Sequence, residues 1–61
     1  MRNLRLVDPC GYTVPGTVNT NVPDANADKV RDHLLNDVAP AHAAEHDYAG
    51  YDPRDYTVQA A

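Results

Sequence analysis

His42, Glu45 and His46 stand in the spacing H-x-x-E-H within the stretch PAHAAEHDYAGY, residues 40 to 51. If residues 41 to 47 are helical, the two imidazoles fall on one face with about 6 Å between their Cβ atoms. Such a pair can grip one zinc ion, and a neighbouring carboxylate can then take a proton from a metal-bound water. A working site of this kind also needs a further protein ligand, a substrate cleft and a scaffold that excludes water. The other groups with reactive potential stand apart: His33 just before Leu34, and Cys10 as the one cysteine.

The spacing resembles that of the inverzincin peptidases, but only at His42, Glu45 and His46. A 61-residue chain offers no large scaffold around them. The reading is therefore a chance spacing in an Ala-rich polar segment, with no catalysis, no cofactor and at most weak surface binding of Zn²⁺ or Ni²⁺. His33 reads as a partly exposed, solvated side chain. A single cysteine rules out an internal disulfide and fits synthesis in a reducing cytoplasm. With no His, Lys or second Cys near it in sequence, Cys10 is expected to be a small buried or half-buried hydrophobe rather than a reactive thiol.

The residues better suited to binding lie further on. Tyr48, Tyr51, Arg54, Tyr56 and Val58 fall in the part of the chain least able to build its own core, because AHAAEHDYAGYDPRDYTVQAA contains no Leu or Ile. Tyrosine buries a large ring at low entropic cost and keeps a hydroxyl for a hydrogen bond, which enriches it at interfaces. These five residues are the expected partner-binding set. The competing expectation is that one or two of the rings fold back over the helix to complete the core. Within YDPRDY, Asp52-Pro53 favours a turn, and Arg54 can pair with Asp52, with Asp55 or with an acidic partner surface.

The elements that must position these groups are few. A chain of this length forms one domain and buries only about 60% of the surface its unfolded form exposes. It has no Trp, no Phe and one Met, so a protein partner, or a second copy of the chain, is the natural source of further burial. In NLRLV, Leu4 and Leu6 alternate with Arg5 and Val7 in the period of a half-buried strand, which Asp8-Pro9 stops. Residues 12 to 22 read as a β-hairpin. Pro15-Gly16 suits the centre of a type II turn, and a bulge is expected around Val14 to Thr17 because that turn type matches strand twist poorly.

A helix follows Pro23. Asp24 or Asn26 is placed to cap it, and Asp28 lies near the positive end of its dipole. Ala27, Val30, Leu34 and Val38 recur at three- and four-residue spacing, with Leu35 widening the stripe and Pro40 expected to end the helix. At about 13 residues the helix is too short to stand alone in water, so its stripe must lie on the hairpin and first strand. Residues 40 to 48 suit a short second helix, and beyond Tyr48 the chain should be irregular or extended. The expected fold is α+β: an N-terminal strand and β-hairpin packed by one helix over residues 1–39, then an irregular or short-helical interaction arm over residues 40–61.

Charge narrows the choice of partner. From Asp32 onward six carboxylates face only Arg54, and no cluster of Lys and Arg with interleaved aromatics occurs anywhere. Nucleic acid is therefore not an expected ligand. No stretch approaches the roughly 20 apolar residues of a membrane span. After Arg2 and Arg5 the chain offers only Leu6-Val7 before Asp8, too little for the apolar run of a secretory signal, so a soluble, unexported protein is expected.

Residues 4 to 38, LRLVDPCGYTVPGTVNTNVPDANADKVRDHLL and the rest of that helix, resemble very small proteins encoded in the structural modules of tailed bacteriophages, particularly those of actinobacteria. In those, a short strand is followed by a Gly-Tyr and Pro-Gly hairpin and then by a Pro-Asp-led helix. The resemblance implies a minor virion component: a capsid-decorating or cementing protein, or a head–tail accessory. It implies binding to the major capsid protein or another virion subunit, and assembly into the virion after synthesis in the host cytoplasm. The rival expectation is a phage-encoded inhibitor of a host defence complex, an anti-CRISPR or anti-restriction protein, whose acidic half mimics nucleic-acid phosphates.

Overall fold

The first strand, β1, spans Arg2–Val7 and turns back at Asp8, as the computed structural model of the chain, which describes all 61 residues, shows. The turn has its own chemistry. Gly11 N–H donates to the Asp8 carbonyl at 3.0 Å, which encloses Pro9 and Cys10, and Gly11 has φ 90°. Asp8 N–H then bonds the Tyr12 carbonyl at 2.9 Å. Asp at the first position, Pro at the second and a left-handed Gly closing the loop describe a type I turn continued by a glycine bulge. Asp8-Pro9 is thus the tip of the hairpin and not merely the end of a strand.

The returning chain pairs with β1 in two pieces. Thr13 bridges Val7, and strand β2, Asn19–Val22, pairs antiparallel with Arg2 to Leu4. Between them Val14–Pro15–Gly16–Thr17 makes the expected Pro-Gly turn, with Gly16 at φ 79° and Thr17 N–H bonded to the Val14 carbonyl at 3.3 Å. The expected hairpin folding residues 12 to 22 on themselves is therefore corrected: both arms of that stretch lie along β1, and the Pro-Gly turn is an excursion within the returning strand. The buried Thr17 hydroxyl closes the gap this excursion opens. It accepts from Leu6 N–H at 3.2 Å and donates to the Val14 carbonyl at 2.6 Å. A second irregularity lies in β2, where the register shifts and Asn21 takes a φ of 56° that few residues but Gly and Asn tolerate.

The helical element is longer than its sequence pattern suggests. Helix α1, Asp24–His33, runs through a π-helical turn, Leu34–Val38, directly into α2, Ala39–Glu45, a continuous span of 22 residues. Pro40 does not end it. Proline in a helix lacks a donor and its ring strikes the carbonyl four residues back; the wider π turn just before it, in which Ala39 N–H reaches the Leu34 carbonyl, opens the ladder where the ring must pass. The N-terminus has no side-chain cap. Pro23 holds the cap position, Asn26 N–H bonds the Pro23 carbonyl at 2.8 Å, and Asp24 instead pairs with Arg2 at 3.3 Å.

The segment after residue 40 is part of the fold and not an arm beyond it. Strand β3, Thr57–Ala60, pairs antiparallel with β1 from Leu4↔Ala60 to Val7↔Thr57, which gives a three-stranded sheet of order β2-β1-β3. The architecture is α+β. Its core joins Leu6 and Val14 from the sheet side, Leu34, Ala39 and Ala43 from the helix, and Tyr56, which is only 4% exposed. Val30, Val38 and Val58 pack around this cluster half-buried. Residues 39 and 40 thus mark no boundary between a finished domain and an arm. A core with one large aliphatic from β1 and one from the helix needs the ring of Tyr56 to close.

Candidate docking surface

Two turns shape one end of the molecule. The 3-10 turn Asp47–Ala49 ends on Gly50 at φ 73°, and a second 3-10 turn, Pro53–Asp55, is capped by Asp52, whose Oδ1 accepts the Arg54 N–H at 2.9 Å. Together they bring residues 46 to 56 back beside the Asp8–Gly11 tip, since β3 begins at Thr57 opposite Val7. Long side chains from both segments meet there.

At the centre are the two histidines of the H-x-x-E-H spacing. His42 lies on α2, while His46 stands just past its end with φ −112° and ψ 31°. Their rings stack at 4.1 Å between centroids, 19° from parallel. His46 Nδ1 donates to the His42 carbonyl at 2.9 Å, which also accepts the His46 backbone N–H at 3.1 Å, so the ring is fixed against the last helical turn. His42 Nδ1 shares a hydrogen bond with the Tyr56 hydroxyl. Tyr51 lies nearly parallel to both imidazoles, at 5.7 Å from His46 and 6.3 Å from His42, and Tyr56 meets His42 edge-on at 5.5 Å. The spacing H-x-x-E-H thus serves an aromatic cluster: both Nδ1 atoms are taken and the rings face each other, while Glu45 is exposed.

The five residues expected to bind a partner are brought to this end but do not form one surface. Tyr48 is 86% exposed, with its ring centroid 5.8 Å from that of His46 and the two planes 36° apart. Tyr51 is half-buried, and its hydroxyl donates to Cys10 Sγ at 3.2 Å. That bond, with desolvation and the nearby Asp8 carboxylate, pushes its phenol up to about 12. Arg54 is exposed yet engaged, with its Nη2 at 2.8 Å from Asp52 Oδ2, and its hydrogen bonds lower the Asp52 carboxyl to about 2. Val58 is half-buried on the core side of β3. Tyr56 cannot meet a partner: its ring is buried in the core, and burial raises its phenol as well.

Two further residues belong to the surface. Tyr12, 73% exposed, projects from the tip turn, where its N–H and that of Cys10 both bond Asp8 Oδ1, at 2.9 and 3.0 Å. Its place directly after Asp-Pro-Cys-Gly is the signal that could have found it, since loop tips carry binding residues more often than strands do. Cys10 is exposed and not buried as expected; the tight turn holds it outside the sheet, where its sulfur takes the Tyr51 hydroxyl. The molecule's one cavity, an open groove lined by Asn19, Asn26, Lys29, Val30 and His33, lies between β2 and α1, away from these rings. His33, as expected, is exposed, and pairs with Asp37 at 2.9 Å. Comparison of the chain with protein-family models, with curated proteins and with solved structures finds no match.

Proposed function

We propose that this chain is a non-catalytic binding protein that docks by its tyrosine-bearing end on a repeated protein surface, that of a tailed-bacteriophage capsid, as a decorating, cementing or minor head component. The observation that carries the binding reading is the exposure of Tyr12 and Tyr48 at one end of the molecule, where half-buried Tyr51 joins the histidine stack to the Asp8–Gly11 turn through Cys10. Neither of the two open rings is needed by the core. Large, rigid aromatic rings on a fixed frame lose little entropy on binding, which is why such residues dominate interface energetics.

The word capsid rests on the resemblance of residues 4 to 38 to small phage structural proteins. The partner is then the major capsid protein or another virion subunit, a neighbouring copy of this chain can complete the contact, and the protein resides in the virion after synthesis in the host cytoplasm. The test is sedimentation of the purified protein with assembled heads of an actinobacterial tailed phage that encodes it. The reading expects a fixed number of copies per capsid lattice unit. Protein that stays in the supernatant with heads but co-elutes with a host nuclease complex would overturn it in favour of the inhibitor.

A further inference from the structure

Charge along the molecule is sorted in a way the amino-acid order hides. The long axis measures 36 Å, and the 22-residue helical span covers about 33 Å of it at 1.5 Å per residue, so that α1 begins near Arg2 and α2 ends near the tyrosines. Toward the first end and along the middle, Arg2, Lys29 and Arg31 nearly balance Asp24, Asp28, Asp32 and Asp37. At the tyrosine end, Asp8, Glu45, Asp47, Asp52 and Asp55 outnumber Arg54 and the Arg5 guanidinium, which reaches Thr13 next to Tyr12, so most of the formal net charge of −4 sits there. Arg54 is committed to Asp52, whereas Glu45, Asp47 and Asp55 form no ion pair.

Open tyrosine faces surrounded by unpaired carboxylates are the chemistry that receives guanidinium groups. A planar, weakly hydrated guanidinium stacks on an aromatic face and still directs its N–H fork at a carboxylate, while a lysine ammonium is more strongly hydrated and does neither as well. Tyr48 offers this arrangement: it is 86% exposed, its ring centroid lies 5.8 Å from that of His46, and Asp47 adjoins it in the chain. Tyr12 is open in the same way beside Asp8, of which only Oδ1 is used by the turn. We infer that the tyrosine-bearing end recognises arginine, and that its protein partner presents exposed arginine side chains there. This deepens the docking reading above and rests on it.

The test uses the full chain and defined peptides. Amide chemical shifts are followed by NMR while acetyl-Gly-Arg-Gly-Arg-Gly-amide, its Lys counterpart or its Glu counterpart is added at low salt. The arginine peptide should give saturable shifts confined to residues 8–12 and 45–51, about three- to fivefold tighter than the lysine peptide, and the glutamate peptide none. Tyr48→Ala and Asp47→Asn should each weaken the arginine peptide by a few-fold. Asp28→Asn, on the distant α1, should leave it unchanged. Equal binding of the lysine peptide, shifts centred on α1, or no saturation would overturn the inference. The two readings fail separately. Capsid binding lost on Tyr12→Ala and Tyr48→Ala with no response to the arginine peptide sinks arginine recognition alone. A specific arginine response in a protein that ignores capsids sinks the capsid alone.

Discussion

Single atoms decide more in a core this small than in a larger domain, and Thr17 is the clearest case. Its hydroxyl is the partner of Leu6 N–H at the one place where the returning strand leaves β1. Thr17→Val keeps the shape and deletes that partner, which leaves a buried donor unsatisfied; the expected cost is about 1 to 3 kcal/mol, read from the denaturation midpoint. An unchanged midpoint would show that another group or water reaches the Leu6 amide. Tyr51 gives a residue-scale test with a sign. Its folded phenol is raised to about 12 from an ordinary 10, so the neutral form is the one the fold favours. The linked stability is present below about pH 10 and is lost as pH rises through about 12. The absorbance of one tyrosine should titrate near 12, and Cys10→Ala, which removes the sulfur that accepts its hydroxyl proton, should bring it back toward 10. A titration unaffected by Cys10→Ala would contradict the bond.

At the scale of elements, the sequence exposed periodic features and concealed those that depend on distant partners. Strand β1 and the stripe Ala27, Val30, Leu34, Val38 were legible because alternation and helical spacing are local, and all four stripe residues are buried or half-buried. The hairpin tip was legible too, in the Asp-Pro-x-Gly order that a type I turn with a closing glycine prefers, but the neighbouring Pro-Gly pair drew the hairpin to the wrong place. Strand β3 was hidden in TVQA, four residues whose role comes only from pairing with β1 some fifty residues away. The site was half legible: its tyrosines stand out by type, but nothing local separates the buried Tyr56 from the open Tyr48. Pro40 misled for a physical reason, since its cost is relieved by the π turn before it. Pro40→Ala should therefore change stability by less than about 1 kcal/mol in thermal melts, whereas an unrelieved interior proline would give a gain near 3. Because Ala43, Tyr56 and β3 all belong to the one core and sheet, truncation after Ala39 should abolish the cooperative melt seen by circular dichroism. A truncated chain that kept it would restore the arm.

The whole molecule is a short rod with a nearly neutral body and one aromatic, acidic end. Folding spends Leu6, Val14, Leu34 and Tyr56 on the core and leaves Tyr12 and Tyr48 outside it. That division allows binding and stability to be altered independently, because surface truncations away from caps and networks shift stability by only about 0.5 kcal/mol. The most direct measurement is capsid affinity of the Tyr12→Ala, Tyr48→Ala double variant beside its melting temperature. If each ring contributes as an interface anchor, about 1 to 2 kcal/mol apiece, affinity should fall on the order of a hundredfold while the melting curve stays that of the parent chain. An unchanged affinity with an unchanged melt would contradict docking through this end.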